Sequence, residues 1–217
     1  MAAPGDIVRV LLARHGESYA EQAGIRLADR PRPLYQLLVL STLLSARISA
    51  DVALAAAREL FAAGYRTPQA MRAASWQDRV DALGRGHYRR YDERTSTMLG
   101  NGAELLLHRW KGDLRRLRTE ADGDPGRVRG LLMEFPGIGP TGADIFLREV
   151  QAVWPQVAPY LDDRVTEAAA RLSLPTDPAE LAGVTKSTGD LTHLAAALLR
   201  VSRSRRAIDE VLTAAGT

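Results

Sequence analysis

Leu131-Leu-Met-Glu-Phe-Pro-Gly-Ile-Gly-Pro-Thr-Gly-Ala-Asp144 is the stretch from which the rest of this chain is best read. It has the pattern of a helix end, a turn at Pro136-Gly-Ile-Gly139, and the start of a second helix. Two glycines bracketing one apolar residue let the backbone turn tightly and keep side chains out of a ligand's way. Ile138 is expected to plug down between the two helices. Several backbone N–H groups at the turn and at the second helix's start then point outward together. That is an anion site, and a DNA phosphate is the obvious anion. Such a grip positions a protein on a duplex without reading bases. The candidate contacts are Gly137, Ile138, Gly139, Thr141 and Gly142. The plain alternative is an ordinary tight turn between packed helices.

Upstream, Asp124-Pro125 reads as an N-cap followed by proline at the first helical position. The helix it opens has an apolar face of Val128, Leu131, Leu132 and Phe135. Helical periodicity dominates the whole chain and alternating β-branched runs are rare, so the expected class is all-α with short connections. Residues 6–13 read as helix, and 17–25 as a weaker one. Ala28-Asp-Arg-Pro-Arg-Pro33 breaks the pattern and reads as a linker, since each proline pushes its predecessor out of helix. Residues 34–46 are apolar almost all round, which marks a central, buried helix. Further helices are expected at 50–63, 68–73, 76–83, 92–109, 141–152, 163–172, 178–182, 188–202 and 205–215.

Composition removes several chemistries. The chain has no cysteine, so disulfides, thiolate catalysis and cysteine-ligated zinc or iron–sulfur centres are excluded. The four histidines, His15, His87, His108 and His193, show no metal-ligand spacing. Net charge is +3, which permits a polyanionic partner without demanding one. Lys111 and Lys186 are the only lysines. The start lacks a basic segment before an apolar one, and the run from Leu37 to Leu44 is too short to span a membrane. The expectation is a cytoplasmic monomer with no membrane attachment.

Phe135-Pro-Gly-Ile-Gly139 resembles the hairpin of the helix-hairpin-helix DNA glycosylases, the superfamily of endonuclease III, the mismatch adenine glycosylase and the alkylbase glycosylases. Three other stretches agree. Leu43-Leu-Ser-Ala-Arg47 resembles the family's Leu-Leu-Ser-Ala-Gln. Asp162-Asp-Arg-Val165, leading to Arg171-Leu-Ser-Leu174, resembles Asp-x-His-Val leading to Arg-Leu-Gly-Leu. Trp154-Pro155 resembles a Trp-Pro found between hairpin and aspartate. The resemblance implies a six-helix barrel over 31–153 carrying the hairpin at 135–142. It implies a second helical domain built from 1–30 and 154–217, with a flipped nucleotide held in the cleft. The partner is double-stranded DNA. Asp162 then stands as the catalytic carboxylate, with Asp163 as runner-up. A carboxylate near the sugar stabilises the positive charge that builds as the base departs. It can also orient or deprotonate water. The plain reading of Asp162 is a helix N-cap, and the two roles coexist.

The chain departs from the family at two places. Members that also nick the backbone carry a lysine where this chain has Thr141; that lysine forms a Schiff base with the sugar. Threonine cannot, and Thr141 with Asp144 reads as a capping-box-like helix start. Water is therefore the expected nucleophile. The four-cysteine iron–sulfur loop is also missing, as it is in the alkylbase branch. Carbonyls of Met133, Phe135 and Ile138 correspond to those that hold a monovalent Na or K ion in family hairpins.

Arg47 occupies the place of the glutamine that fills the gap left by a flipped base; a helix-end surface arginine is the equal alternative. Gly84-Arg-Gly-His-Tyr-Arg-Arg-Tyr91 matches in position the loop that wedges into the duplex, which makes His87, Tyr88 and Arg89 candidate contacts. A solvated basic turn is the alternative. Three functions remain open: a glycosylase that releases a base without cutting the strand, a non-catalytic DNA-binding module, and a nicking enzyme with an unusual amine.

Overall fold

The computed structural model describes residues 2–216. In chain order the helices are α1 (Pro4–His15), α2 (Tyr19–Gln22), α3 (Pro31–Leu44), α4 (Ala50–Ala62), α5 (Pro68–Ala73), α6 (Trp76–Arg85) and α7 (Asp92–Trp110). They continue as α8 (Leu114–Glu120), α9 (Pro125–Leu132), α10 (Pro140–Val150), α11 (Asp163–Arg171), α12 (Pro178–Gly183), α13 (Thr188–Val201) and α14 (Arg205–Ala215). A 3-10 turn, Pro155–Val157, lies between α10 and α11. There is no strand among the described residues, and the fold is all-α. Among the described residues, no helix is long and apolar enough to cross a membrane.

The chain divides into two compact units. One is the middle of the chain, Ala20–Leu147, and the other joins Met1–Tyr19 to Arg148–Thr217. The sequence-based division was 31–153 against the two ends. The segment after Tyr19 goes with the middle because Ala20, Ala23 and Ile25 are buried there, Arg58 donates to Gln22 O at 2.7 Å, and Asp29 pairs with Arg118. The end of α10 goes with the termini because Thr192 Oγ1 and Gln151 Nε2 both donate to Arg148 O.

In the middle unit α3 is buried along almost its whole length, from Leu34 to Leu43. It starts three residues earlier than its periodicity predicts. Pro31 is the first helical residue, where the missing N–H costs nothing, and Pro33 sits within the same first turn. Arg79 is buried and joins α5, α6 and α7, donating to Met71 O at 2.9 Å, Ala74 O at 2.7 Å and Ser96 O at 3.0 Å. Burial pushes its pKa down. Among these helices, α8 is the one the sequence reading leaves out. Asp113 caps it, and Leu114 and Leu117 anchor it to the core.

In the terminal unit α1, α11, α13 and α14 surround one core. Ile7, Leu11, Val165, Leu172, Leu194, Leu198 and Val211 meet there. Arg200 closes its edge by donating to the carbonyls of His15 and Glu17.

Candidate nucleic-acid interface

The turn between α9 and α10 is held from below. Phe135 is 3% exposed and stacks on Trp110, with ring centroids 5.4 Å apart and planes 20° apart. Trp110 Nε1 donates to Glu120 at 2.7 Å, and Arg109 pairs with Glu120 and with Glu134 beside the turn. Ile138 is buried, as a plug should be. Gly137 has φ +87°, which L side chains rarely adopt, and a Cβ there would stand 2.5 Å from Met98 Sδ. Ser45 Oγ lies 3.1 Å from Gly137 O and 2.7 Å from Thr42 O, tying the end of α3 to the turn. Gly139 is different. It is exposed, and a Cβ there would meet nothing within 4 Å.

α10 begins at Pro140, and its first helical bond runs from Ala143 N–H to Gly139 O at 3.0 Å. The N–H groups of Thr141 and Gly142 come before that bond, where a helix has no acceptor for them. Gly139 has no side chain to cap them. Proline at the first position starts the helix early, so Thr141 falls inside the first turn with its side chain exposed. Asp144 pairs with Arg129 on α9, at 2.7 Å. Thr141, which is exposed, thus carries a backbone donor with no acceptor within the helix, beside an open glycine, while Gly142 is buried against Ser45 and Ile138.

The loop after α6 is not the exposed wedge that its composition suggests. His87 takes a left-handed φ of +62°, and Tyr88 N–H reaches back to Leu83 O at 3.0 Å, closing the helix. This turns the Tyr88 ring inward. It is fully buried, with Thr95 Oγ1 3.4 Å from its hydroxyl. Tyr88 is packed in the core at the floor of the recess between α3 and α7. Gly86 permits the turn, since a Cβ there would collide with the backbone of Ala56. His87 and Arg89 remain exposed.

A recess of about 290 Å³ opens between the end of α3, the start of α7 and the turn. Arg47, Tyr91, Arg94, Met98 and Gly137 line it. Arg47 and Arg94 are exposed, and no carboxylate is among the lining residues. The sequence reading found Arg47 and Gly137, and its basic loop reaches Tyr91 and Arg94; it missed Met98, which lies further along α7.

Asp162 belongs to the terminal unit. It caps α11: its Oδ1 accepts from Val165 N–H at 3.2 Å. Its Oδ2 forms an ion pair with Arg148, and both side chains are nearly buried, at 10% and 7% exposure. Asp163 is exposed in the first turn of α11. Gln151 holds the approach to Asp162, donating to Tyr160 O at 3.1 Å and accepting from Tyr160 N–H at 2.9 Å. The sequence reading missed Arg148. The signal was available: an arginine inside the apolar run Ile145-Phe-Leu-Arg-Glu-Val150 must find a partner to be buried. Of the two lysines, Lys111 is exposed at the end of α7 with Nζ 3.3 Å from His108 O, and Lys186 is exposed.

A non-covalent endonuclease III–DNA complex superposes on this chain with a TM-score of 0.50, covering 92% of this chain and 85% of that one at 18% identity. The fold is endonuclease III-like. A trapped covalent endonuclease III–DNA intermediate with an estranged adenine covers the same shares at TM-score 0.49 and 16% identity. No family model and no curated protein matches the chain. What the endonuclease III-like fold shares at this identity is architecture, so the chemistry rests on the residues.

Proposed function

We propose that this chain binds double-stranded DNA and releases a damaged or mismatched base, leaving the strand uncut. The observation that carries the reading is the open start of α10. The first-turn N–H of the exposed Thr141, beside an unobstructed Gly139, stands on a fold that also occurs in a protein–DNA complex. A phosphate supplies the acceptor that this donor lacks. Arg47, Arg89 and Arg94 add positive charge on the same unit, and His87 is exposed beside Arg89.

The chemistry assigned to Asp162 is electrostatic. Its carboxylate stabilises cationic character on the sugar and orients the attacking water. Capping fixes its direction. Thr141 provides no amine for an imine, so the abasic product survives intact. Carbonyls of Met133, Phe135 and Ile138 are hard, neutral oxygens of the type that Na or K takes. Phe135 O already accepts from Ile138 N–H at 3.0 Å and keeps one lone pair for an ion. No iron–sulfur cluster is involved, since the chain has no thiolate to hold one.

One observation favours a second reading, a non-catalytic binder. Arg148 sits against Asp162 and cancels much of the charge that a cationic transition state needs. The deciding experiment uses duplexes carrying uracil, hypoxanthine, 3-methyladenine, 8-oxoguanine or thymine glycol, assayed with and without alkali. Base release with strand breaks only after alkali supports the glycosylase. Binding to the duplexes without release from any of them leaves the binder.

A further inference from the structure

The arginines of this chain are unevenly paired. Arg9, Arg72, Arg85, Arg109, Arg115, Arg118, Arg127, Arg129, Arg148 and Arg206 each hold a carboxylate. At the N-terminal end of α3, several arginines that hold none gather. A broad groove there is lined by Arg26, Arg30, Arg32, Arg58 and Arg66. None of the five is paired with an acid. Arg58 and Arg66 are aimed by neutral carbonyls, Gln22 O at 2.7 Å and Phe61 O at 2.6 Å, which orient the guanidinium and leave its charge uncancelled. All five are exposed. The nearest acids in sequence are engaged elsewhere: Asp29 pairs with Arg118, and Glu59 with Arg85.

We propose that this groove is a second binding site for the sugar–phosphate backbone of duplex DNA, separate from the α9–α10 turn. Five uncancelled positive charges in one groove are costly through mutual repulsion unless an anion joins them. Guanidinium forks match phosphate oxygens two at a time. The groove carries no exposed aromatic side chain on which an unpaired base would stack, since Phe61 is buried. It therefore suits a paired backbone better than a single strand. The α9–α10 turn meets α3 at its opposite end, through Ser45. The fourteen residues of α3 separate the two places by about 20 Å. One short duplex segment lying on the turn leaves the groove free for another.

The test counts short, undamaged duplexes bound per protein and measures the salt dependence of each step. The wild type should bind two. R26Q/R30Q/R32Q alters only exposed side chains without acidic partners and relieves repulsion among them, so it should melt no lower than wild type. It should lose the second duplex, and the log–log salt slope of that step should fall by about 2 to 3. G139V should lose the other duplex and keep the groove, which separates failure here from failure of the proposed function. A stoichiometry of one in the wild type would overturn the proposal, as would an unchanged second step in the triple variant. So would displacement of the second duplex by polyglutamate at equal or lower charge concentration, which would assign the groove to an acidic protein partner instead.

Discussion

The starts of α10 and α11 are built alike and finished differently. Each is the first turn of a helix, with donors that have no partner within the helix. At α11 the chain supplies its own anion: Asp162 accepts from Val165 N–H, and Arg148 locks the carboxylate from the other side. At α10 glycine stands where a cap would be, the nearby acid Asp144 pairs with Arg129, and the N–H of the exposed Thr141 has no acceptor within the helix. A closed helix start fixes a carboxylate in place. An open one accepts a carboxylate or phosphate from outside. In the proposed function, binding falls to the start of α10 and positioning of the carboxylate to the start of α11.

The sharpest way to break this comparison is to remove the turn itself. Gly137→Val forces a β-branched residue to φ +87° and drives its Cβ toward Met98 Sδ. The expected cost is about 3 kcal/mol or more, from backbone strain together with overpacking. A shift in the denaturant midpoint measures it. A variant as stable as wild type would mean that the turn is not held as described.

These two helix starts also show what was legible in the sequence. The hairpin could be read because its geometry is written in residue types, with Pro136, Gly137, Ile138 and Gly139 each having one structural use. Helices with a stated cap, such as α5 after Thr67 and α11 after Asp162, were legible almost to the residue. α8 was not. Five of its seven residues, Arg115, Arg116, Arg118, Thr119 and Glu120, are polar, and two leucines are too few to show a period. The burial of Tyr88 was not legible, because aromatic and basic residues in a loop look like an exposed surface. A left-handed His87 that turns the ring inward leaves no mark in composition. The Arg148–Asp162 pair joins residues on separate elements, and one sequence gives no means of pairing a buried arginine with a particular acid.

The closed start yields the next largest effect. Asp162→Asn keeps an oxygen for capping but leaves Arg148 buried without its counter-ion, at an expected cost of about 3 kcal/mol. Arg148→Met should cost a similar amount by stranding Asp162. Together the two changes should recover stability to within about 1 kcal/mol of wild type, because no unpaired charge remains. Base release separates structure from chemistry. If Asp162 is catalytic, the double variant is stable yet releases no base. Release at the wild-type rate would transfer the role to Asp163 or end the glycosylase reading.

At the open start a smaller change should act on binding alone. Gly139→Val places its side chain in empty space, so stability should move by no more than about 1 kcal/mol. The branched side chain would stand where a phosphate must approach the N–H groups. Affinity for duplexes of any sequence should fall at least tenfold, by the same factor for each. This is measured by titration at fixed salt, since phosphate contacts carry no sequence preference. A loss restricted to one sequence would show that the turn reads bases.

The gentlest change tests what the open start faces. Thr141 is exposed in the first turn of α10, so Thr141→Lys should alter stability by less than about 0.5 kcal/mol. The new amine would sit at the positive end of a helix, whose field disfavours its protonated form and so frees the lone pair for attack. If the turn grips the backbone next to a flipped sugar, this amine lies within reach of the sugar carbon of an abasic site. It can then lose water with the aldehyde to form an imine. Borohydride reduction should trap a covalent protein–DNA adduct in Thr141→Lys and none in wild type. The adduct should form on abasic duplex even in the Asp162→Asn background, because the base has already gone. If Thr141→Lys binds abasic duplex as tightly as wild type and still gives no adduct, the turn holds the backbone at a distance from the reacting sugar. The open helix start would then be a binding element and no part of a catalytic site.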